Sequence, residues 1–454
     1  MHFHIHHRAL EPMTEGSIPR HLIRYAVPSI LGNLFQVTYN TVDSVIVGKY
    51  VGANALAAVG VANPLMNIVM FFIIGIGIGA SVIMSEFYGA RDYRRLRREF
   101  STATIAAFAF SLFISAAFFA LVDPLLRMCN TPAEILHETR DYLRIIACGM
   151  VFTCIYNMLS AALRAIGDTR TPLICLIIGS LVNVALDIWT VSVLKMGVAG
   201  AAYATVVSQA VSAALCAWLL WRGAEPLRVT RADVCVEKEL LKKTVHYSYA
   251  SALQQAGVYV GRLLVQSMVN PLGVHAIAAF NAVNRVDDYA LIPERDVANG
   301  IMVMTAQNRG AKKPERMMKG LRVGLLIEAI YGCVVSVAVF ALAGPMMRLF
   351  VSAEEAEVLA LGTRYLRLMG FFYFLPGITN GLQGYMRGIG KVNITMYVTY
   401  GQMALRAVCT WLFIDMLKLD AVPLACAVGW MLMVVWEVGL IWHWKKKSRL
   451  IVMD

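Results

Sequence analysis

The chain has 454 residues, 58% of them hydrophobic and only 15% charged, and its mean hydropathy is positive. A water-soluble domain carries about 25% charged residues, so composition excludes an ordinary soluble fold. The formal charge of +12 falls mainly in the short polar stretches between apolar runs, a distribution that does not fit a basic nucleic-acid-binding face.

Residues 1–21 form a polar tail. Its opening, "MHFHIHH", alternates His2, His4 and His6, a spacing able to grip a metal ion. The stretch "MTEGSIPRHLIRYAVP" from Met13 has the character of a natural start. Residues 1–12 therefore read as a disordered extension whose deletion leaves activity intact. No cleavable signal is expected, because the first apolar run is too long and lacks a small-residue cleavage site.

Twelve apolar runs follow, near 22–48, 53–80, 99–122, 139–164, 171–194, 198–221, 244–270, 275–308, 319–342, 358–387, 393–416 and 420–442. Each is long enough to cross about 30 Å of hydrocarbon. With the amino terminus in the cytoplasm, 28 of the 41 Lys and Arg fall in cytoplasmic segments and 9 in outer loops. With charges toward the ends of a run counted to the adjacent loop, the remaining four, Arg262, Arg285, Arg295 and Arg406, fall within spans. This asymmetry obeys the positive-inside rule with both termini cytoplasmic. The run from Arg91 to Arg98 then reads as a solvated loop touching anionic headgroups. The nine cysteines show no CxxC spacing and read as small buried hydrophobes.

The chain is written twice. "GANALAAVG" from Gly52 matches "GVHAIAAF" from Gly273, an offset of 221 that holds from Arg127 to Arg348. The same offset carries Thr131 and Glu134 onto Ser352 and Glu355, a pair of expected capping boxes. The offset then becomes 223: Tyr142 matches Tyr365, Asn157 matches Asn380, and "RAIG" from Arg164 matches "RGIG" from Arg387. The fold expected is an all-α integral membrane protein of twelve transmembrane helices in two pseudo-symmetric six-helix bundles. Its parts are the tail 1–21, an N-lobe 22–222, a cytoplasmic linker 223–243, a C-lobe 244–442 and a basic tail 443–454.

The halves differ in their acids. Asp43, in the first span, is matched by Leu264; Asp187 is matched by Thr410, and Asn183 by Arg406. An ionised Asp near the membrane centre costs about 2.5–3.5 kcal/mol, so packing alone gives no reason to keep one there. Counted at 1.5 Å per residue, Asp43, Asp187 and Thr205 all lie about 7–11 Å below the outer boundary. Asn183 and Asp187 share a helix face. Asn33, Gln36, Asn40 and Asp43 form a polar stripe up one side of the first span. Two carboxylates, an amide and a hydroxyl at one depth suit a proton or a hard cation such as Na⁺.

"VDSVIVGKYVGANALAAVG", "LRAIGDTRTP" with "NVALD" beyond it, and "GVAGAAYATVVSQ" resemble the multidrug and toxic compound extrusion (MATE) family. The resemblance covers residues 14–442, tightly in the first half and more loosely in the second. It implies a two-lobed, cation-coupled exporter of the branch with carboxylates in the amino-terminal lobe. Asp43, Asn183, Asp187 and Thr205 take the cation-coupling positions, for H⁺ or Na⁺ and for no other metal. Gln36, Asn40, Tyr142 and Asn157 are expected to line that lobe. The chain departs from the branch that places acids in helices 7 and 10: Gln254 and Gln255 stand in the seventh span, and residues 370–387 hold no acid, so a second cation site in the C-lobe is not expected.

A second departure is "IPERDVANG" in the eighth span, with Glu294, Arg295 and Asp296 below Asp287 and Asp288. Arg295 is placed to neutralise an adjacent acid. Asp287 and Glu294, seven apart on one face, are expected to line a substrate cavity together with Arg262. "GIGIG" at 75–79 reads as close helix packing, and Pro28 permits a kink.

The function expected is antiport: export of drug-like, amphipathic or cationic compounds from the cytoplasm across the inner membrane, by a monomer. Its partners are the small-molecule substrate and the lipid bilayer, with no cofactor. A lipid-linked oligosaccharide flippase is the alternative, kept open by Arg262 and Arg406. The spans hold no HExxH and no nucleophile–base arrangement, so an enzyme is not expected.

Overall fold

The computed structural model describes residues 12–446 apart from Gly52, Asn130 and Ala353. His2, His4, His6, the proposed dispensable extension up to Glu11 and the end of the basic tail lie outside the described residues. The helices are α1 (Ile18–Tyr50), α2 (Ala53–Gly89), α3 (Tyr93–Met128), α4 (Ala133–Ala165), α5 (Arg170–Asp187) and α6 (Gly197–Gly223). A π-helical turn, Ile188–Val193, extends α5. Then come α7 (Lys238–Val269), α8 (Val274–Ala290), α9 (Ile292–Gly310), α10 (Pro314–Arg348), α11 (Ala356–Gly370), α12 (Phe374–Gly388), α13 (Val392–Leu417) and α14 (Ala421–Lys446).

Among the described residues fourteen α-helices answer to the twelve expected spans. α8 and α9, separated by Leu291 alone, occupy the eighth expected span. α11 and α12 bend by 52° at a short break and make the tenth. By length and apolarity seven stretches among the described residues could cross a membrane, eight with the bent pair, and one of them, Val392–Lys446, holds both α13 and α14. The others, α1, α7 and the α8–α9 pair, are interrupted by polar side chains such as Asn33, Gln254 and Asp287. In lipid such residues must turn toward protein or a water-filled cavity, and a helix is the one open-ended element that satisfies its own backbone there.

The helices gather into two compact units. The first holds Val27–Ala252; the second holds Met13–Ala26 and the chain from Leu253 onward. Hence the opening turns of α1 belong to the second unit, and the amino-terminal half of α7 belongs to the first. In the first unit α2, α3 and α4 pack on one another. Gly75 and Gly79 let α7 approach α2 closely: an added Cβ would stand 2.4 Å from the Ala252 Cα and from the Ser248 N. Small residues at such a crossing gain van der Waals contact that lipid would not replace. In the second unit α9, α10 and α12 make the equivalent cluster. There Met13 is tied down: its N–H donates to Gln307 Oε1 at 2.8 Å, and the Arg316 Nε donates to its carbonyl at 3.0 Å.

Several local expectations are corrected. Neither capping box forms. Pro132 takes the N-cap of α4 and contributes no side-chain bond, while the Thr131 hydroxyl is buried without a partner. α11 starts at Ala356, which leaves Ser352 four residues outside it. The Arg91–Arg98 run is not wholly solvated. Asp92 caps α3 through the Arg95 N–H at 3.0 Å, and Arg97 holds Asp233 of the polar connector at 3.0 Å. The Asp287–Glu294 face is interrupted as well: Pro293, with no N–H to donate, sits at the start of α9 and ends the ladder of α8.

Candidate functional site

In the first unit α1, α5 and α6 converge on Asp187. It is the last residue of α5, at the point where the ladder widens: Leu194 donates to the Trp189 carbonyl at 2.9 Å, five residues back. Such π turns recur at functional sites because the surplus residue re-aims its neighbours. Asn183, one turn earlier on the same face, and Asp187 are both fully buried. With its amide oriented to satisfy the surrounding groups, the Asn183 nitrogen donates to Asp187 Oδ2 at 2.9 Å and to the Tyr39 hydroxyl at 3.1 Å. Its oxygen accepts from the Thr205 N–H of α6 at 3.1 Å. The Thr205 hydroxyl donates to the Ala201 carbonyl at 3.0 Å, so it has lone pairs left to offer.

Asp43 of α1 interacts side chain to side chain with Asp187. One oxygen of each, Oδ1 in both, is buried and finds no protein donor. Two carboxyl groups can make such a contact only around a shared proton or a bridging cation, since neither anion brings a hydrogen. Tyr39 and the buried Tyr142 lie within electrostatic reach of both acids. The four residues expected at one depth, Asp43, Asn183, Asp187 and Thr205, are thus joined in one network.

The expected lining residues divide. Tyr142 belongs to the surroundings of the pair. Gln36 and Asn40 lie on exposed parts of α1. Asn157 is fifteen residues further along α4 than Tyr142, about 22 Å at 1.5 Å per residue, and its amide donates to the Thr153 carbonyl at 2.8 Å. It takes no part in the network.

The expected substrate-lining set of the second unit is corrected. Asp287 is buried and accepts from the Tyr373 hydroxyl. Arg262 pairs with Asp288 at 3.1 Å. Glu294 has no exposed surface, so it does not line an open cavity in this conformation. Arg295 acts on it through charge alone, because neither Glu294 oxygen has a hydrogen-bond partner. Beside it lies Glu328 of α10, also at 0% exposure and also with both oxygens unpartnered.

Sequence reasoning missed Tyr39 and Glu328. The signal for Glu328 was present: it is the one acid within the apolar stretch "GLLIEAIYG" of the ninth span. Tyr39 stands one turn before Asp43, but an aromatic in a span gives no sign of which face it serves. Among the described residues no group of three or more His, Cys, Asp or Glu side chains could hold a metal ion.

The MatE family model matches the chain twice, over residues 28–189 and 250–412, once in each half of the repeat. The chain is 30% identical to the probable multidrug resistance protein YpnP of Bacillus subtilis, over 84% of both chains. It is 24% identical to the probable multidrug resistance protein NorM of Thermotoga maritima, over 84% of this chain and 82% of that one. A solved structure described as the outward-facing conformation of a multidrug resistance MATE family transporter of the MOP superfamily superposes with a TM-score of 0.91. It shares 22% identity and covers 98% of this chain and 99% of its own. Twelve spans in two repeated halves, matched by one family model in each, place the chain in the MATE family: it is a multi-pass membrane protein of a multidrug efflux transporter family, whose members are transporters and not enzymes.

Proposed function

We propose that the chain is a cation-coupled antiporter that exports drug-like, amphipathic or cationic organic compounds, and that the Asp43–Asp187 pair is its coupling site. The observation that carries this reading is the pair itself: a fully buried Asp187 beside a half-buried Asp43, with one buried oxygen of each lacking any protein donor. Such a pair takes up a proton or an oxygen-seeking cation such as Na⁺, because only a positive charge relieves it. Asn183 holds Asp187 in register through one donated bond, and Tyr39 shares that amide.

A cation entering from outside neutralises the pair and changes which helix contacts are favourable. Coupling follows if the loaded and empty pairs favour different conformations, since a ligand shifts an equilibrium only by its differential affinity. α1 is suited to report the change: it carries Asp43 in the first unit, begins in the second, and has Pro28 just past the changeover at Val27. One charge crossing 100 mV supplies about 2.3 kcal/mol. The excess of Lys and Arg in alternate loops supports both termini in the cytoplasm of the cell membrane. One chain carrying both halves of the repeat supports a monomer as the working unit.

The test is efflux of a cationic dye from proteoliposomes under separately imposed proton and sodium gradients. Uphill efflux is expected under one gradient or both, and its loss in Asp43→Asn with folding retained. Normal gradient-driven efflux in that variant overturns the assignment of the pair. Lipid-headgroup translocation without dye efflux overturns the antiport reading.

A further inference from the structure

We propose that Glu294 and Glu328 form a second site for a small cation, a proton or Na⁺, inside the second unit and separate from the Asp43–Asp187 pair. It does not rest on the reading given to that pair.

The first observation is convergence. An added Cβ on Gly377 of α12 would stand 3.2 Å from Glu328 Oε2 and 3.4 Å from Glu294 Cδ. Two carboxyl groups from α9 and α10 therefore close on one point of α12, and glycine leaves that point open. The second observation is the state of the acids. Both side chains have 0% exposure, and all four of their oxygens lack a hydrogen-bond partner. A buried polar group without a partner costs about 1–3 kcal/mol, more if charged, so four such acceptors at one place are not a packing solution. Complete burial leaves no access for a drug-sized molecule. With only two carboxyl groups facing each other, a small monovalent cation fits the site.

The third observation is the internal repeat. At offset 221 Glu294 and Glu328 correspond to Ile73 and Ala107, and at offset 223 Gly377 corresponds to Cys154. Those three lie together in the apolar core of the first unit, where the Cys154 thiol donates to the Ala107 carbonyl at 3.5 Å. The scaffold closes at this place without acids when a thiol and two hydrocarbon side chains fill it. The second unit instead carries two carboxyls and removes the side chain between them.

The charged and titratable groups around the pair come from each neighbouring element: Asp287 from α8, Arg295 and Asp296 from α9, Tyr331 from α10, and Tyr373 ahead of α12. The hydroxyls of Tyr373 and Tyr331 are committed, to Asp287 and to the Ala290 carbonyl. Neither donates to Glu294 or Glu328.

The test counts bound cations on the purified full-length protein. One arm measures equilibrium binding of radioactive Na⁺ at fixed pH. The other follows proton uptake with an indicator dye on acidification in Na⁺-free buffer. In one arm, Glu294→Gln/Glu328→Gln is expected to bind at least one cation fewer than the wild type, and that arm identifies the ion. Asp43→Asn/Asp187→Asn is expected to retain the unit-two cation, which separates failure of one site from failure of the other. Cation binding equal to wild type in both arms by the double Gln variant overturns the proposal. If that variant does not elute as a single folded species, Gly377→Ala decides. Its methyl intrudes on the carboxyls without removing them, and cation affinity should fall several-fold. Unchanged affinity in both arms overturns the proposal.

Discussion

The first unit keeps its acids on α1 and α5, within a hydrogen-bonded frame: Asn183 donates to Asp187 and to the Tyr39 hydroxyl, and accepts from the Thr205 N–H. The second unit keeps Glu294 and Glu328 on α9 and α10, in contact with a glycine and with no donor at all. Each location is vacated by acids in the other half. Leu264 and Thr410 stand where Asp43 and Asp187 would be; Ile73 and Ala107 stand where Glu294 and Glu328 would be. One scaffold thus tolerates a buried acid pair at two different places and needs it at neither. What differs is orientation. The first pair is held by neighbours that fix Asp187 whether or not a cation is present, whereas the second depends on its occupant for every bond its oxygens make.

This contrast can be broken at several points. The largest effect is expected from Asp187→Asn, which removes the acid that joins α1 to the Asn183 frame. Uphill efflux in proteoliposomes should vanish while the protein remains folded, and efflux at wild-type rate would show that the frame serves packing only. Next, the second unit can be given the solution of the first with Glu294→Ile, Glu328→Ala and Gly377→Cys combined. Replacing buried polar charge by matched apolar packing is often stabilising by about 1–4 kcal/mol, so thermal unfolding in detergent should move upward. A lower midpoint would mean that the acids hold the unit together.

Asn183→Ala should cost about 1–3 kcal/mol, the range for leaving buried partners unsatisfied. It should appear as slower coupled efflux with both acids still present, measured as initial rate against gradient size. The smallest effect concerns Asp233, outside the spans. Its carboxyl is held below the usual carboxylate range chiefly by the Thr230 hydroxyl, helped by the Thr230 N–H and by Arg97. A depressed acid contributes stability above its ordinary range and loses it as pH falls through the depressed value. Asp233→Asn should therefore remove less than about 1 kcal/mol at neutral pH. It should also flatten the acid limb of the melting curve, and an acid limb identical to wild type would count against the contact.

Much of this architecture was legible in the residues. Apolar run length gave the twelve spans because hydrocarbon thickness sets helix length. The repeat was legible because Gly, Arg and Asn recur at fixed offsets where chance would return only Leu and Val. Asp43, Asn183, Asp187 and Thr205 could be grouped because depth along a helix is a linear count. Other features depend on packing between helices distant in sequence. Glu328 is one acid averaged into an apolar window, and its meaning appears only when α9 and α12 bring Glu294 and Gly377 beside it. Tyr39 acquires a role through an amide on α5. The break at Leu291 was signalled by Pro293, but charged neighbours drew the reading toward a continuous face. The capping boxes failed because an S/T-x-x-E spacing specifies a cap only if the helix starts where the spacing needs it, and Pro132 shifts that start.

The tether at Met13 has a consequence for how the protein is made. Its contact with Gln307 spans 294 residues of chain. A ribosome adds about 5–20 residues per second, so Met13–Ala26 would wait roughly 15–60 s for the helices that receive it. The opening turns of α1 are therefore the first part of the second unit to be synthesised and among the last to dock. Splitting the gene at the polar connector would leave that segment on the first fragment, so a second fragment made alone would lack Met13 and its contact with Gln307.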